Sequence, residues 1–359
     1  MKVPWSPPDI GLEERKEAKR VIDSGWLTQG KETDLFENEL AQYIGCKHAV
    51  IVNNGTSALI AALMAHGIGP GDEVIVPTFT FIATVNSILA VGATPVLVDC
   101  DIDTFNTKPE LVEQKFTKKT KAIMPVDVAG MPIDIEGFES LVEKKGVILI
   151  EDAAEAIGAE YKNRKIGSFG HLAILSFHMA KVAAAVEGGA ILTNDDAIAE
   201  KCHMIKNHGM KKKFQHEEFG LNFRITDIQS AIGRVQLRKV EDYIIKRNNL
   251  VDMYKDELKG LVEFQKEPSY VTRHPYMIFN ILVSASKQKE VIEELNKNNI
   301  GNRISWVPVH KQIYHKNLFK EEYPNSEKIA SRIISLPLGN ALEEEQVHYV
   351  CKIIKQVLR

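Results

Sequence analysis

Residues 48–100 read HAVIVNNGTSALIAALMAHGIGPGDEVIVPTFTFIATVNSILAVGATPVLVDC, and this stretch decides the fold. Three short runs rich in Val and Ile, HAVIVNN, DEVIVP and TPVLVDC, are separated by two longer apolar segments, TSALIAALMAHG and TFIATVNSILAVG. A short run that is apolar at successive positions has no solvated face, which suits a strand buried on both sides; the longer segments between suit helices. Working outward, the pattern holds from about Cys46 to Asp195, through a helix near Pro109–Phe116 and then KAIMPVD, DIEGFESLVEKKG, GVILIEDAA, LAILSFH and GGAILTND. Strand and helix in alternation predict the α/β class, a mostly parallel sheet with helices on both faces.

Beyond Asn222 the character changes. ITDIQSAIGRVQLRKVEDYIIKRNNLVDMYKDELKG has apolar residues at three- and four-residue spacing and almost no breakers, which predicts one long spacer helix. The remainder mixes strand-like YMIFNILVSA with helix-like KQKEVIEELNKNN and EEEQVHYVCKIIKQVL, an α+β composition. At 359 residues the chain exceeds one comfortable core. We therefore expect a large domain over residues 1–245, with an N-terminal arm, and a small C-terminal domain over residues 246–359.

Lys plus Arg number 45 against 48 Asp plus Glu, a net charge of -3, which offers no electrostatic grip on nucleic acid or an acidic membrane. Cys46, Cys100, Cys202 and Cys351 are scattered without CxxC spacing, and the MKVPWSPPDI opening has no apolar signal core. Neither disulfides, a metal site nor export is expected, and cytoplasm is the default location. The most apolar windows fall far short of the ~20 residues a membrane helix needs.

Ligands of open parallel sheets bind beyond the carboxyl ends of the strands, so the residues there are the candidates. After HAVIVNN, Gly55-Thr56-Ser57 opens a helix and reads either as an anion site, from first-turn amides and two hydroxyls, or as an ordinary cap. Phe81 follows DEVIVP, as a ring to stack on a flat ligand or as a core aromatic. Asp152 ends GVILIED among apolar neighbours and either meets a cation, such as a protonated ring nitrogen, or caps a helix. Lys181 follows LAILSFHMA in the least polar neighbourhood of any lysine here, which favours the neutral, imine-forming amine. Asn222 and Arg224, before the long helix, read most simply as a polar turn, and Lys211, Lys212 and Lys213 as a solvated segment. GIGPGD follows a helix, whereas a dinucleotide fingerprint follows a strand, so a nicotinamide enzyme is disfavoured.

Together these segments resemble the DegT/DnrJ/EryC1/StrS sugar aminotransferases, a branch of the fold type I pyridoxal-phosphate (PLP) enzymes. The resemblance rests on SGWLTQGKETDLFENELAQYIG, NNGTSAL, PTFTFIATVNSI, EDAAEAIGAEY, IGSFG, SFHMAK with EGGAILTND, NHGM and GLNFRITDIQSAIGRVQL, with weaker likeness in VPVHKQIYH and SLPLGNALEEEQV. It implies PLP as cofactor, with Lys181 as its imine-forming lysine and proton carrier and Asp152 on the ring nitrogen. Gly55, Thr56, Ser57 and Ser176 would bind the phosphate, with Asn222 reaching in from the neighbouring subunit of a homodimer. Phe81 would stack on the ring, Glu155 would lie by its hydroxyl, and Arg224 and His310 would touch the substrate. The implied reaction moves an amino group from L-glutamate to a nucleotide-linked keto sugar, a 4-keto-6-deoxy sugar in the perosamine-synthase-like branch. Two alternatives share the fold: a sugar dehydratase, which resembles this branch but has histidine in place of the lysine, and a non-catalytic ligand-binding regulator. The chain departs from the family pattern at Asp127, where a histidine is common, at Val186, where a glycine is common, and at Val182–Ala185, where polar side chains are common.

Overall fold

The computed structural model describes residues 1–359. Seven strands form the central sheet: β1 (His48–Val52), β2 (Glu73–Pro77), β3 (Thr94–Val98), β4 (Thr120–Ile123), β5 (Ile148–Asp152), β6 (Leu172–Ser176) and β7 (Gly189–Thr193), in the order β1-β7-β6-β5-β4-β2-β3. All neighbours run parallel except β7, which is antiparallel to both β1 and β6. The mostly parallel α/β sheet expected from the sequence is therefore present.

Successive side chains of a strand point to opposite faces, and here each face has its own core. Ile51, Ile75, Ile123 and Leu175 belong to one buried cluster, and Val50, Val74, Ala122 and Ile174 to the other. Both faces are dry because helices cover both, which is why the strands read as unbroken apolar runs. A third cluster gathers around a second sheet of Glu263–Phe264, Phe279–Leu282 and Ile333–Leu336, packed with helices Gln288–Lys297 and Glu344–Leu358. Val3, at the chain's start, is buried in that same cluster, so the N-terminal arm crosses to the C-terminal sheet.

The single spacer helix of the sequence reading is two helices, Asp227–Arg238 and Val240–Leu258. At Lys239 the backbone stays right-handed (φ -94, ψ -5) but the turn tightens, its N–H bonding Gln236 O, three residues back. No glycine or proline marks the break. The Gln236 amide and the Lys239 ammonium both reach Glu14 of the N-terminal helix Leu12–Ser24, a tertiary demand invisible to periodicity.

Candidate active site

The carboxyl ends of β1, β2, β5 and β6 open into one cavity of ≈ 590 Å³. Gly55, Thr56, Ser57, Phe81, Asp152, Glu155, Ser176 and Lys181, expected from four separate segments, all line it. Asn222, Arg224 and His310 do not.

The turn after β1 is shaped by close approaches. Asn54, not Ser57, caps helix Gly55–Ala65, and its Oδ1 accepts the Ser57 N–H at 2.8 Å. That leaves the hydroxyls of Thr56 and Ser57 uncommitted to capping, and the Gly55 and Thr56 amides without intrahelical acceptors. The amino end of a helix, with its positive dipole, here faces Ser176 at the end of β6. A side chain on Gly55 would put its Cβ 3.1 Å from the Ser176 Cβ, and one on Gly189 would strike Asn54 O at 2.4 Å. Glycine in GGAILTND therefore lets β7 pass under this turn.

Asp152 is 4 % exposed. Thr84 Oγ1 donates to its Oδ2 at 2.7 Å and the Ala154 N–H to its Oδ1 at 3.2 Å. Burial outweighs these donors and the Lys181 charge and pushes its pKa up to about 6.

Lys181 is not in the apolar setting expected from its neighbours in sequence. Its Nζ donates to Glu155 Oε1 at 3.2 Å, and Glu155 Oε2 in turn accepts the Ala129 N–H at 2.9 Å. Ala129 has a positive φ of 63°, so the turn after β4 is bent to aim that amide. The stretch Val182–Ala185 does pack in the core, while Val186 follows with φ 67°, the left-handed geometry that glycine would hold without strain. Asp127 lies outside the cavity, fully buried with Oδ1 accepting the Ile133 N–H; burial and the Glu151 carboxylate raise its pKa well above the usual range.

Phe81 is half exposed at the cavity wall, its ring 5.6 Å from that of Trp306. Asn222 is solvent-exposed, and Arg224 donates from Nη1 to Asn207 Oδ1 at 2.6 Å. His310 is buried, with Nδ1 bonded to Thr78 Oγ1 at 2.7 Å and Nε2 to Glu327 Oε1 at 3.0 Å, so both ring nitrogens are already engaged. Thr84, Arg303 and Trp306 line the cavity without having been singled out from the sequence. Thr84 sits one helical turn past Phe81, which is the only cue it offered.

The DegT/DnrJ/EryC1/StrS aminotransferase family model matches residues 8–355. The chain belongs to that family. It is 36% identical over 360 residues to the GDP-perosamine synthase of Escherichia coli O157:H7, covering 99% of this chain and 98% of that protein. The DesV structure from S. venezuelae, solved with a ketimine intermediate, superposes with a TM-score of 0.95 at 33% identity, over 99% of this chain and 98% of that one. The PLP form of the putative sugar aminotransferase Spr1654 from Streptococcus pneumoniae matches at a TM-score of 0.95 and 29% identity, over 100% of both. The family's aminotransferases depend on PLP, and the residues present fit that group: an amine, a carboxylate whose pKa burial raises, and a helix amino end that carries Ser57 and faces Ser176, around one cavity.

Proposed function

We propose that this protein transfers an amino group from L-glutamate to a nucleotide-linked keto sugar, in which the receiving carbonyl is at C4 of a 6-deoxy hexose. The observation that carries the reading is the convergence of Lys181, Asp152 and the Gly55–Ser57 turn on one cavity. The likeness to a GDP-perosamine synthase supports the choice of substrate class.

When bound, PLP supplies an aldehyde carbon for amine exchange and a ring that withdraws electrons. The chain's own residues do the rest. Lys181 would tether the cofactor and, once its amine is free again, would hold and move the proton at Nζ in each half-reaction. Glu155, hydrogen-bonded to the Lys181 amine, steadies it. Asp152 keeps a proton on the ring nitrogen, an ion pair that in turn compensates its own burial. The Gly55 and Thr56 amides with Ser57 and Ser176 would hold the phosphate, and Phe81 would lie against the ring. Asn222, exposed outside its own chain's cavity, serves the phosphate of the partner subunit, so the working unit is a homodimer. Arg224 is assigned only to shaping the substrate side, and His310, with both ring nitrogens bonded within the chain, to bracing the fold behind it and not to touching the substrate.

We read residues 1–245 as the cofactor-binding unit and residues 246–359 as the small domain that closes over the sugar. No helix is long and apolar enough to cross a membrane, and we place the enzyme in the cytoplasm. The test is to load the protein with PLP, convert it with L-glutamate, and offer a panel of keto sugar nucleotides. Return of the lysine-bound chromophore with a GDP-linked 4-keto-6-deoxy hexose is expected; no return with any keto sugar nucleotide would contradict the assignment.

A further inference from the structure

Arg303 is the single arginine lining the cavity, and it is left without a partner. Its Nε and Nη2 are buried with no hydrogen-bond acceptor, and it forms no ion pair within the chain, while Lys181 of the same cavity is paired with Glu155. Burial lowers its pKa, an effect the Glu155 charge opposes. An unpaired guanidinium in such a place is costly, and folded chains rarely keep one that nothing uses.

Its placement is nonetheless constructed with care. The Trp5 ring stacks on the guanidinium at 3.6 Å, and the Trp306 ring lies 5.1 Å away. Stacking occupies the faces of the planar group and leaves the N–H edge as a fork. Trp5 comes from the N-terminal arm, which is strapped down by Gly301 N–H to Val3 O and Leu338 N–H to Trp5 O. Gly301 is required there, since its Cβ would fall 2.5 Å from Trp5 N. Two hydrogen bonds between the backbones of Arg303 and Ser335 fix the root of the side chain to the C-terminal sheet. Residues about three hundred positions apart thus converge to orient one charged fork at the cavity.

A planar guanidinium fork takes a pair of anionic oxygens on its ligand, either a carboxylate or a diphosphate. In a transamination the donor's carboxylate is attached to the very carbon that meets the amine, whereas the diphosphate of a sugar nucleotide is separated from the reacting carbon by the hexose. Arg303 lines the same cavity and is close enough to Glu155 to feel its charge, and Glu155 in turn holds the Lys181 amine at 3.2 Å. We infer that Arg303 anchors a carboxylate of the amino donor, its fork held flat by Trp5 and Trp306. This rests on the aminotransferase reading above.

The test uses the PLP-loaded protein and two probes, glutarate, which has the donor's two carboxylates but no amine, and GDP, each titrated by calorimetry. In Arg303→Gln, glutarate affinity is expected to fall by about thirtyfold or more, with GDP changed by no more than about threefold and the lysine-bound chromophore retained. Arg303→Lys, which keeps the charge but not the fork, is expected to lose about tenfold and keeps the inference testable should the first variant not fold. Unchanged glutarate affinity in either variant overturns the inference, as does a loss confined to GDP, which would give the fork to the acceptor's diphosphate. Failure of the aminotransferase reading is separately visible: the wild-type protein would then form no lysine-bound chromophore at all.

Discussion

The two sides of the cavity are built differently. The cofactor side consists of strand ends and a helix cap, Asp152, Ser176 and the Gly55–Ser57 turn, each carried by an element whose position the seven-stranded sheet dictates. The opposite side consists of irregular backbone: Arg303 and Trp306 from the connection before the final strand, backed by Trp5 of the N-terminal arm. A sheet holds its ends in register whatever ligand arrives, so it suits a cofactor common to many reactions. Loops anchored at a few points can be rebuilt without disturbing the core, so they suit the part that distinguishes substrates.

Substitutions on the two sides should therefore fail in different ways, and the largest effect belongs to the cofactor side. Asp152→Asn removes the group that keeps the ring nitrogen protonated, and turnover should fall by roughly 10²–10⁴-fold in steady-state assays with the fold intact. The same change should stabilise the cofactor-free protein. Burial holds the Asp152 pKa at about 6, above that of the unfolded chain. Below about pH 4 both states keep the proton and nothing is lost. As pH rises from about 4 to about 6 the unfolded chain releases it first, so folding loses stability, on the order of a few kcal/mol, and the loss persists above that window. Thermal melts of the cofactor-free wild type and variant should diverge across that window, with the variant higher at pH 8; a variant lower at pH 8 would break the account of Asp152 as a destabilised group awaiting its cation.

His310 sharpens the boundary between the two sides. With both nitrogens bonded to Thr78 and Glu327, His310→Ala should cost about 1–3 kcal/mol of stability and leave KM for both substrates unchanged. A raised KM for the keto sugar nucleotide without loss of stability would return this residue to the substrate side. The smallest effect is expected at Val186, a β-branched residue at φ 67° in the loop that carries Lys181. Val186→Gly should relieve strain worth about 1 kcal/mol and raise the melting temperature by a few degrees; a lowered melting temperature would show the strain to be offset by contacts of the valine side chain.

The same contrast explains what the sequence could reveal. Strands buried on both faces advertise themselves as apolar runs, and Asp152 and Lys181 stood out because a charged residue at the end of such a run is conspicuous. Val50 and Ile51 pack into separate cores, which is the physical content of that signal. Arg303 gave no such signal, because what makes it unusual is the absence of a partner in three dimensions and a stacking ring from position 5. The Lys239 break escaped for a related reason: its side chain bonds Glu14, far away in the chain, a contact that local periodicity does not carry. His310 stood out through its motif, but the structure commits its ring to Thr78 and Glu327. Local pattern revealed the scaffold and whatever the scaffold's ends carry; contacts closed by the arm and the C-terminal segment remained hidden.

Everything proposed for this protein depends on the Lys181 amine being the group that joins the cofactor. Reducing the PLP-loaded protein with borohydride fixes any imine as a stable secondary amine, and peptide mass mapping then locates it. The account predicts the cofactor's mass on the peptide containing Lys181 and on no other. A label on a different lysine, or an unlabelled Lys181 in protein that carries the cofactor, would contradict it.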